Sequence, residues 1–271
     1  MGNIDEREFI AQETRLKEKM AEIKRIFIVM SGKGGVGKTS VAVNLACALS
    51  FAGKRVGILD IDLHGPNIAK MLGIEGRLLR KAGSGIQPVS VSERLKAVSI
   101  ACADNDTNRP IIWRGPMKAM VIRNFLADVD WGELDYLIID SPPGTGDEPL
   151  SACQLIPRIT GAVIVTTPQD VAVMDARKSI YFAKELKIPV VGIIENMSGF
   201  ICPHCRQETD IFKRGGGQQA AVECGIPFLG RVPFDKELVE MADQGRSFVH
   251  FRQDSASAKA FMQIVKKIED F

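Results

Sequence analysis

No stretch of this chain approaches the roughly 20 consecutive apolar residues that span a bilayer as a helix, so no membrane is expected among its partners. Residues 1–20 carry charges of both signs and no apolar core, so they do not read as a secretion signal. Charge of one sign is not in excess either. The 271 residues sum to +2, and that balance does not call for nucleic acid. No Asn-Lys-x-Asp follows a strand, which disfavours guanine nucleotides, and neither an internal repeat nor a low-complexity tract is present. Cysteine is sparse, six in all. In a chain expected in the cytoplasm that speaks for thiol, metal or redox chemistry rather than a disulfide framework. What remains, 45% hydrophobic and 25% charged residues, suits one large α/β domain with at most a small appendage.

Apolar runs of strand length alternate with helical patterns. The strands are expected at Arg25–Met30, Arg55–Asp60, Leu95–Ala101, Asp135–Asp140, Ala162–Thr167, Val190–Glu195 and Pro227–Arg231. The helices are expected at Gly37–Phe51, Pro66–Leu72, Met117–Val129, Glu148–Leu155, Val171–Leu186, Gly217–Cys224, Lys236–Asp243 and Ala256–Ile268. Continuous Val/Ile/Leu strands separated by helices imply a mostly parallel sheet buried on both faces, hence a doubly wound α/β sandwich whose ligand site lies off the carboxyl ends of the strands. Residues 1–24 read as an N-terminal helical extension with Phe9, Ile10, Leu16, Met20 and Ile23 among its charges, and 25–271 as the main domain. Gly73–Ser92 reads as a surface excursion or short hairpin, and Ser198–Gly217 as an insertion carrying function.

The run Gly32, Lys33, Gly34, Gly35, Val36, Gly37, Lys38, Thr39, Ser40 matches G-x-x-x-x-G-K-[ST] between a strand and a helix. Glycines let successive backbone N–H groups converge on phosphate, and the helix N-terminus adds about half a positive charge. Lys38 then reaches the β- and γ-phosphates, and the Thr39 hydroxyl holds Mg²⁺. Asp140 ends an apolar strand and would hold the same Mg²⁺, while Gly144 in the following Ser-Pro-Pro-Gly-Thr-Gly is expected to offer an N–H to the γ-phosphate. Asp60 and Asp62 leave the edge of another strand on one side. Asp62 is the candidate for orienting the attacking water, Asp60 for supporting the Mg²⁺ shell. His64 reads as a loop residue.

Lys33 sits where it cannot easily reach phosphates bound by its own loop, and burying an unpaired ammonium costs several kcal/mol. The loop resembles the deviant Walker A form of the ParA/MinD/nitrogenase iron protein class. That resemblance implies ATP sandwiched between two subunits, with the Lys33 of each crossing to the other. It also implies adenine contacts at Asn196 and at the Arg231–Asp235 turn around Pro233.

Cys202-Pro-His-Cys205 presents two thiolates on a tight turn, whereas a zinc ion or iron–sulfur cluster takes four ligands. Cys47, Cys102, Cys153 and Cys224 fall in apolar or helical surroundings and read as small buried hydrophobes. A homodimer, already implied by the ATP sandwich, supplies the missing pair by twofold symmetry. A structural zinc knuckle, a thioredoxin-like redox pair and a metal-free turn are the alternatives, and His204 is a possible further ligand.

Taken in order, the loop, Asp-Ile-Asp-Leu-His-Gly-Pro-Asn, Trp113–Lys118, Asp140–Asp147, Glu195–Gly199 and Cys-Pro-His-Cys resemble the Mrp/ApbC (Nbp-type) ATPases of the MinD-like P-loop NTPases from Arg25 to about Val249. The resemblance implies a slow, Mg²⁺-dependent ATPase that carries a [4Fe–4S] cluster bridged between two subunits and hands it to apo iron–sulfur proteins, with Zn²⁺ a possible substitute. The four-cysteine N-terminal extension of some relatives is not seen. A MinD/ParA-like positioning switch is the rival. It needs a membrane-binding helix or a basic DNA-binding face, and the Ala256–Phe271 pattern, with Phe261, Ile264, Val265 and Ile268 at helical spacing, is expected to pack on the domain instead. A nitrogenase-like reductase would need a cysteine between Asp140 and Cys153, and none is there.

Overall fold

A computed structural model describes residues 6–63, 65–82, 85–102, 115–202 and 204–271. His64, Trp113 and Arg114, named above, lie outside the described residues, as does Pro203.

The chain opens with α1 (Glu6–Ala21), β1 (Ile23–Met30), α2 (Lys38–Phe51), β2 (Val56–Asp60) and α3 (Ile68–Met71). The excursion holds β3 (Arg80–Ala82), β4 (Gly85–Gln87) and β5 (Val89–Ser92), followed by β6 (Leu95–Val98) and a single 3-10 turn, Ile100–Cys102. Then come α4 (Gly115–Asp128), β7 (Leu134–Asp140), α5 (Asp147–Leu155), β8 (Gly161–Thr166), α6 (Asp170–Glu185) and β9 (Val190–Glu195). The insertion contains β10 (Phe200–Ile201) and β11 (Glu208–Thr209), and the chain ends with α7 (Gly216–Cys224), β12 (Phe228–Arg231), α8 (Lys236–Asp243), α9 (Phe248–Phe251) and α10 (Ala256–Glu269).

Eight strands form the sheet β12-β9-β8-β1-β7-β2-β6-β5. The pairs are parallel except β5 with β6 at the edge. The order reverses at β1, so the loop after β1 opens into the crevice where open α/β sheets bind ligands. Strands β2, β7, β8 and β9 are buried along nearly their whole length, as continuous apolar runs require when both sheet faces are covered. One core lies under α2, α9 and α10, the other under α1, α4, α5, α6 and α7.

Several boundaries differ from the sequence reading. Strand β1 begins at Ile23, which is fully buried and pairs with Leu134, so the break expected after residue 24 falls inside the sheet. Helix α1 buries only Leu16 and Met20; Phe9 instead lies under the Arg123 guanidinium, and Gln12 bonds Asn124, so the extension is pinned along α4. The strand expected to run to Ala101 stops at Val98. The Ser99 hydroxyl bonds Asp60 and takes the Ala101 N–H, and the Cys102 N–H closes a turn onto the Ser99 carbonyl. Helix α9 is four residues long, too short to leave a periodic signature. Helix α10 buries Phe261, Ile264, Val265 and Ile268, as expected of a helix that packs on the domain.

Candidate functional site

Parallel register sets the site. Asp60 on β2 and Asp140 on β7 are direct neighbours across the sheet, at the edge where β1 runs into the glycine loop. Gly35 and Gly37 adopt φ of +82° and +81°, values an L side chain rarely takes. A Cβ on Gly37 would lie 2.2 Å from the Asn196 amide nitrogen, and one on Gly32 would lie 2.1 Å from the Asp175 carbonyl oxygen, so both positions also exclude side chains by space. The Ser31 hydroxyl closes the turn by donating to the Lys33 carbonyl at 3.0 Å. No side chain caps α2, so its first N–H groups stay open to an anion.

Lys38 is buried, with its ammonium 2.6 Å from Asp140 Oδ1 and 3.9 Å from Asp62 Oδ2. The Thr39 hydroxyl donates to Asp140 Oδ2 at 2.6 Å. The loop lysine therefore neutralises the strand-end acid, a partnership that an arriving triphosphate must exchange for its own. Asp60 sits behind this pair. Its oxygens accept from the Asp62 N–H at 3.1 Å and the Ser99 hydroxyl at 3.1 Å, so it shapes the Asp62 loop from below. Burial first, and the facing Asp140 second, push the Asp60 carboxyl well above its ordinary value. Burial also raises Asp140, although Lys38 and Thr39 pull the other way.

A raised carboxyl stabilises the fold below its unfolded value and loses that contribution as pH climbs toward the folded one. Relative to wild type, Asp60→Asn is therefore expected to gain stability as pH rises above the ordinary 3.8, by up to about 1.4 kcal/mol per pH unit. Urea denaturation of the nucleotide-free protein at pH 5 and pH 8 measures the difference. An offset independent of pH would refute it.

Gly144 is tied into the backbone of the site. Its N–H already donates to the Ser31 carbonyl at 2.8 Å, with φ at +91°, so in this conformation it ties the loop after β7 to the phosphate loop and is not free for a γ-phosphate. Lys33 is half-buried, and no ion pair engages its ammonium among the described residues.

Asn196 and Pro233, expected at the base, do meet. With Thr39, Ser40, Phe234 and Asp235 they line a cavity of about 310 Å³ beside the start of α2, and the Asn196 amide donates to the Val36 carbonyl at 2.9 Å.

Cys202 and Cys205 lie on a small hairpin, β10–β11, whose turn is closed by Cys202 N–H to Gln207 O and Arg206 N–H to Cys202 O. Cys205 is exposed and Cys202 half-exposed. The N–H groups of Cys205 and His204 and the Cys205 thiol aim at the Cys202 sulfur and hold its thiol below the ordinary 9.0. Among the described residues no third Cys, His, Asp or Glu joins them as a metal-binding group. Cys47, Cys102 and Cys153 are buried, and burial pushes each thiol up to about 11, which fits an inert packing role. Cys224 is half-buried at the end of α7.

The sequence reading gave no role to Glu195, which is fully buried at the tip of β9. It accepts from the Ser198 hydroxyl and the N–H groups of Gly215 and Gly217, and faces the Arg231 guanidinium at 3.4 Å. One carboxylate thus pins both roots of the cysteine insertion. The signal was present: β9 ends in an acid after an apolar run, as β2 and β7 do.

Open helix N–H groups, a buried lysine and two strand-end acids at one edge of the sheet are the requirements of a P-loop NTPase, and fold and site together put the chain in that class. Within it, residues 22–269 match the family model described as NUBPL iron-transfer P-loop NTPase, ParA, and the chain belongs to that family. It is 52% identical over 257 residues to the iron-sulfur cluster carrier protein of Methanocaldococcus jannaschii, covering 95% of this chain and 88% of that one. It is 45% identical over 261 residues to the cytosolic Fe-S cluster assembly factor CFD1 of Kluyveromyces lactis, covering 94% and 92%. Among solved structures it is similar to the ADP-bound nucleotide-binding protein of Archaeoglobus fulgidus, in which cobalt was found, at TM-score 0.77 and 39% identity over 87% and 92% of the two chains. The cell division ATPase MinD of Pyrococcus furiosus shares the fold at TM-score 0.67 and 23% identity over 91% and 99%.

Proposed function

We propose that this protein is an ATP-binding carrier of iron–sulfur clusters, in which two copies face each other and share one [4Fe–4S] cluster as cargo through Cys202 and Cys205 of each. The observation that carries the reading is half a ligand set: two surface-reaching thiols on one hairpin, Cys205 exposed and Cys202 half-exposed, with no further ligand beside them among the described residues, rooted next to the cavity lined by Asn196 and Pro233. The names of the M. jannaschii and K. lactis relatives support cluster cargo, apo iron–sulfur proteins as recipients and a cytosolic setting.

The ATPase chemistry follows from the residues. Lys38 leaves Asp140 for the β- and γ-phosphates, guided by the open N–H groups of α2. Asp140, Thr39 and the buried Asp60 behind them form an all-oxygen set that fits Mg²⁺, which would neutralise phosphate charge there. Asp62 orients water, and adenine occupies the cavity between Asn196 and Pro233. Lys33, whose ammonium has no ion pair among the described residues, reaches the nucleotide of the second copy. Hydrolysis needs no strong base, since positioning and charge neutralisation drive phosphoryl transfer.

Lys33→Ala is expected to keep ATP binding within a few-fold and to lose hydrolysis by roughly a hundredfold, the scale on which removing a transition-state charge contact acts. Phosphate-release assays measure this, and wild-type turnover would end the trans-acting role.

Anaerobic reconstitution with iron and sulfide tests the cargo reading, with one cluster per two chains expected. A strict monomer that takes up no iron would overturn it. The membrane-positioning reading is disfavoured because the apolar face of α10 is already buried, and among the described residues no helix is long and apolar enough to cross a membrane. Failure to sediment with liposomes is the expected check.

A further inference from the structure

The cavity assigned to the base and the hairpin that bears the thiols share one wall. Phe234 lines the cavity beside Pro233 and Asp235, and its ring also stands 6.2 Å from Phe200 and 6.1 Å from Phe212. Phe200 belongs to β10, two residues before Cys202, and Phe212 follows β11. The backbone repeats the connection. The Phe234 N–H donates to the Gly199 carbonyl at 2.8 Å, and the Ser198 N–H donates to the Val232 carbonyl at 3.0 Å. Below this wall Glu195 fastens Ser198, Gly215 and Gly217 and anchors the roots of the insertion, Arg214 pairs with Glu208 of β11 and with Asp210, and Phe200 and Phe212 join the hairpin to the cavity wall. Asn196, the next residue along the chain, is bonded to the phosphate loop through Val36. A continuous run of packed rings and hydrogen bonds is the physical means by which one site biases another.

We propose that Phe234 is a positioning residue that transmits occupancy of the base cavity to the Cys202–Cys205 turn, with Phe200 and Phe212 as its counterparts on the hairpin and Glu195 as the fixed pivot. This rests on the reading of that cavity as the base site and of the two thiols as the cargo ligands. It adds that the base, rather than the phosphates, adjusts the turn. Both hairpin rings stand directly against the half-buried Phe234 ring, Phe212 edge-on and Phe200 tilted, so a displacement of Phe234 alters both contacts.

The test uses the full chain, reduced and metal-free, and needs no cluster. Alkylation of Cys202 and Cys205 by iodoacetamide is followed by peptide mass spectrometry, with Cys224 at the end of α7 as internal reference. Three conditions are compared: no addition, saturating Mg-ADP, and saturating magnesium tripolyphosphate, which offers phosphates without a base. The expected result is that ADP changes the alkylation rate at the turn by about fivefold or more, the lower end of ordinary coupling between sites, while tripolyphosphate leaves it unchanged. Phe212→Ala abolishes the ADP effect, and Phe212→Tyr, which keeps the ring, retains it. ADP affinity is measured alongside by calorimetry so that every comparison is made at saturation. If Phe212→Ala does not fold, Phe200→Leu takes its place.

Three outcomes overturn the proposal: no ADP effect in wild type, an equal effect from tripolyphosphate, or a full ADP effect in the ring-deleted variant. Failure of the wild-type protein to take up a cluster would count against the carrier reading instead and would leave these alkylation rates as they are.

Discussion

Lys38→Met loses ATP affinity by roughly a hundredfold or more, the loss expected when charge-assisted hydrogen bonds to phosphate are removed, and it also weakens the nucleotide-free fold. The second effect comes from the structure. The Lys38 ammonium is the cation between Asp140 and Asp62, and both Asp140 and Asp60 are almost wholly buried. Removing it strands a buried carboxylate, which costs about 3 kcal/mol when the acid cannot find another partner. The double variant Lys38→Met with Asp140→Asn removes the charge as well as its partner. It is expected to recover most of the stability and none of the ATP binding. Denaturant midpoints and nucleotide titrations read the two effects separately. Retained ATP affinity in Lys38→Met would end the P-loop assignment of this lysine, and unchanged stability would show that the Lys38–Asp140 pair does not hold the free protein together.

Cys202→Ala and Cys205→Ala are each expected to abolish cluster uptake while leaving nucleotide affinity and stability near wild type. Both side chains reach the surface, and exposed substitutions of this kind usually change stability by about 0.5 kcal/mol or less. On the proposed sharing of one cluster by two copies, the loss is complete rather than graded, because one substitution would remove two of four thiolates. Iron and sulfide content after anaerobic reconstitution, with absorbance near about 400 nm for a thiolate-bound cluster, is the readout. Full absorbance in either variant would move the cargo site elsewhere, and one cluster per chain in wild type would end the sharing. Cys153→Ala makes the contrast: its buried thiol, pushed up to about 11, packs in the core and should leave cluster content unchanged.

The parallel α/β sheet was legible because its signals are local. Apolar runs at β2, β7, β8 and β9, each followed by a break and a helical pattern, state the architecture without reference to distant residues. The glycine loop was legible for the same reason, since a strand, a positive-φ turn and a helix lie within thirty consecutive residues. The antiparallel edge strand β5 was hidden because its four residues sit in a polar excursion, and its place on β6 is a matter of pairing rather than composition.

The sequence by itself determined which chemistry is present: a phosphate-binding loop with two lysines, acids at strand ends, and one Cys-x-x-Cys pair of thiols. Only the tertiary structure decided which of those groups engage one another. It joins Lys38 to Asp140 across 102 positions and Asn196 to Val36 across 160, gives the Gly144 N–H to Ser31, and turns Glu195 from a strand-end acid into the anchor of the cysteine hairpin. The reason is physical. Composition and periodicity report how each segment meets water, whereas partner choice among buried charges and hydrogen bonds depends on sheet register and burial, and these exist only once all the strands are in place.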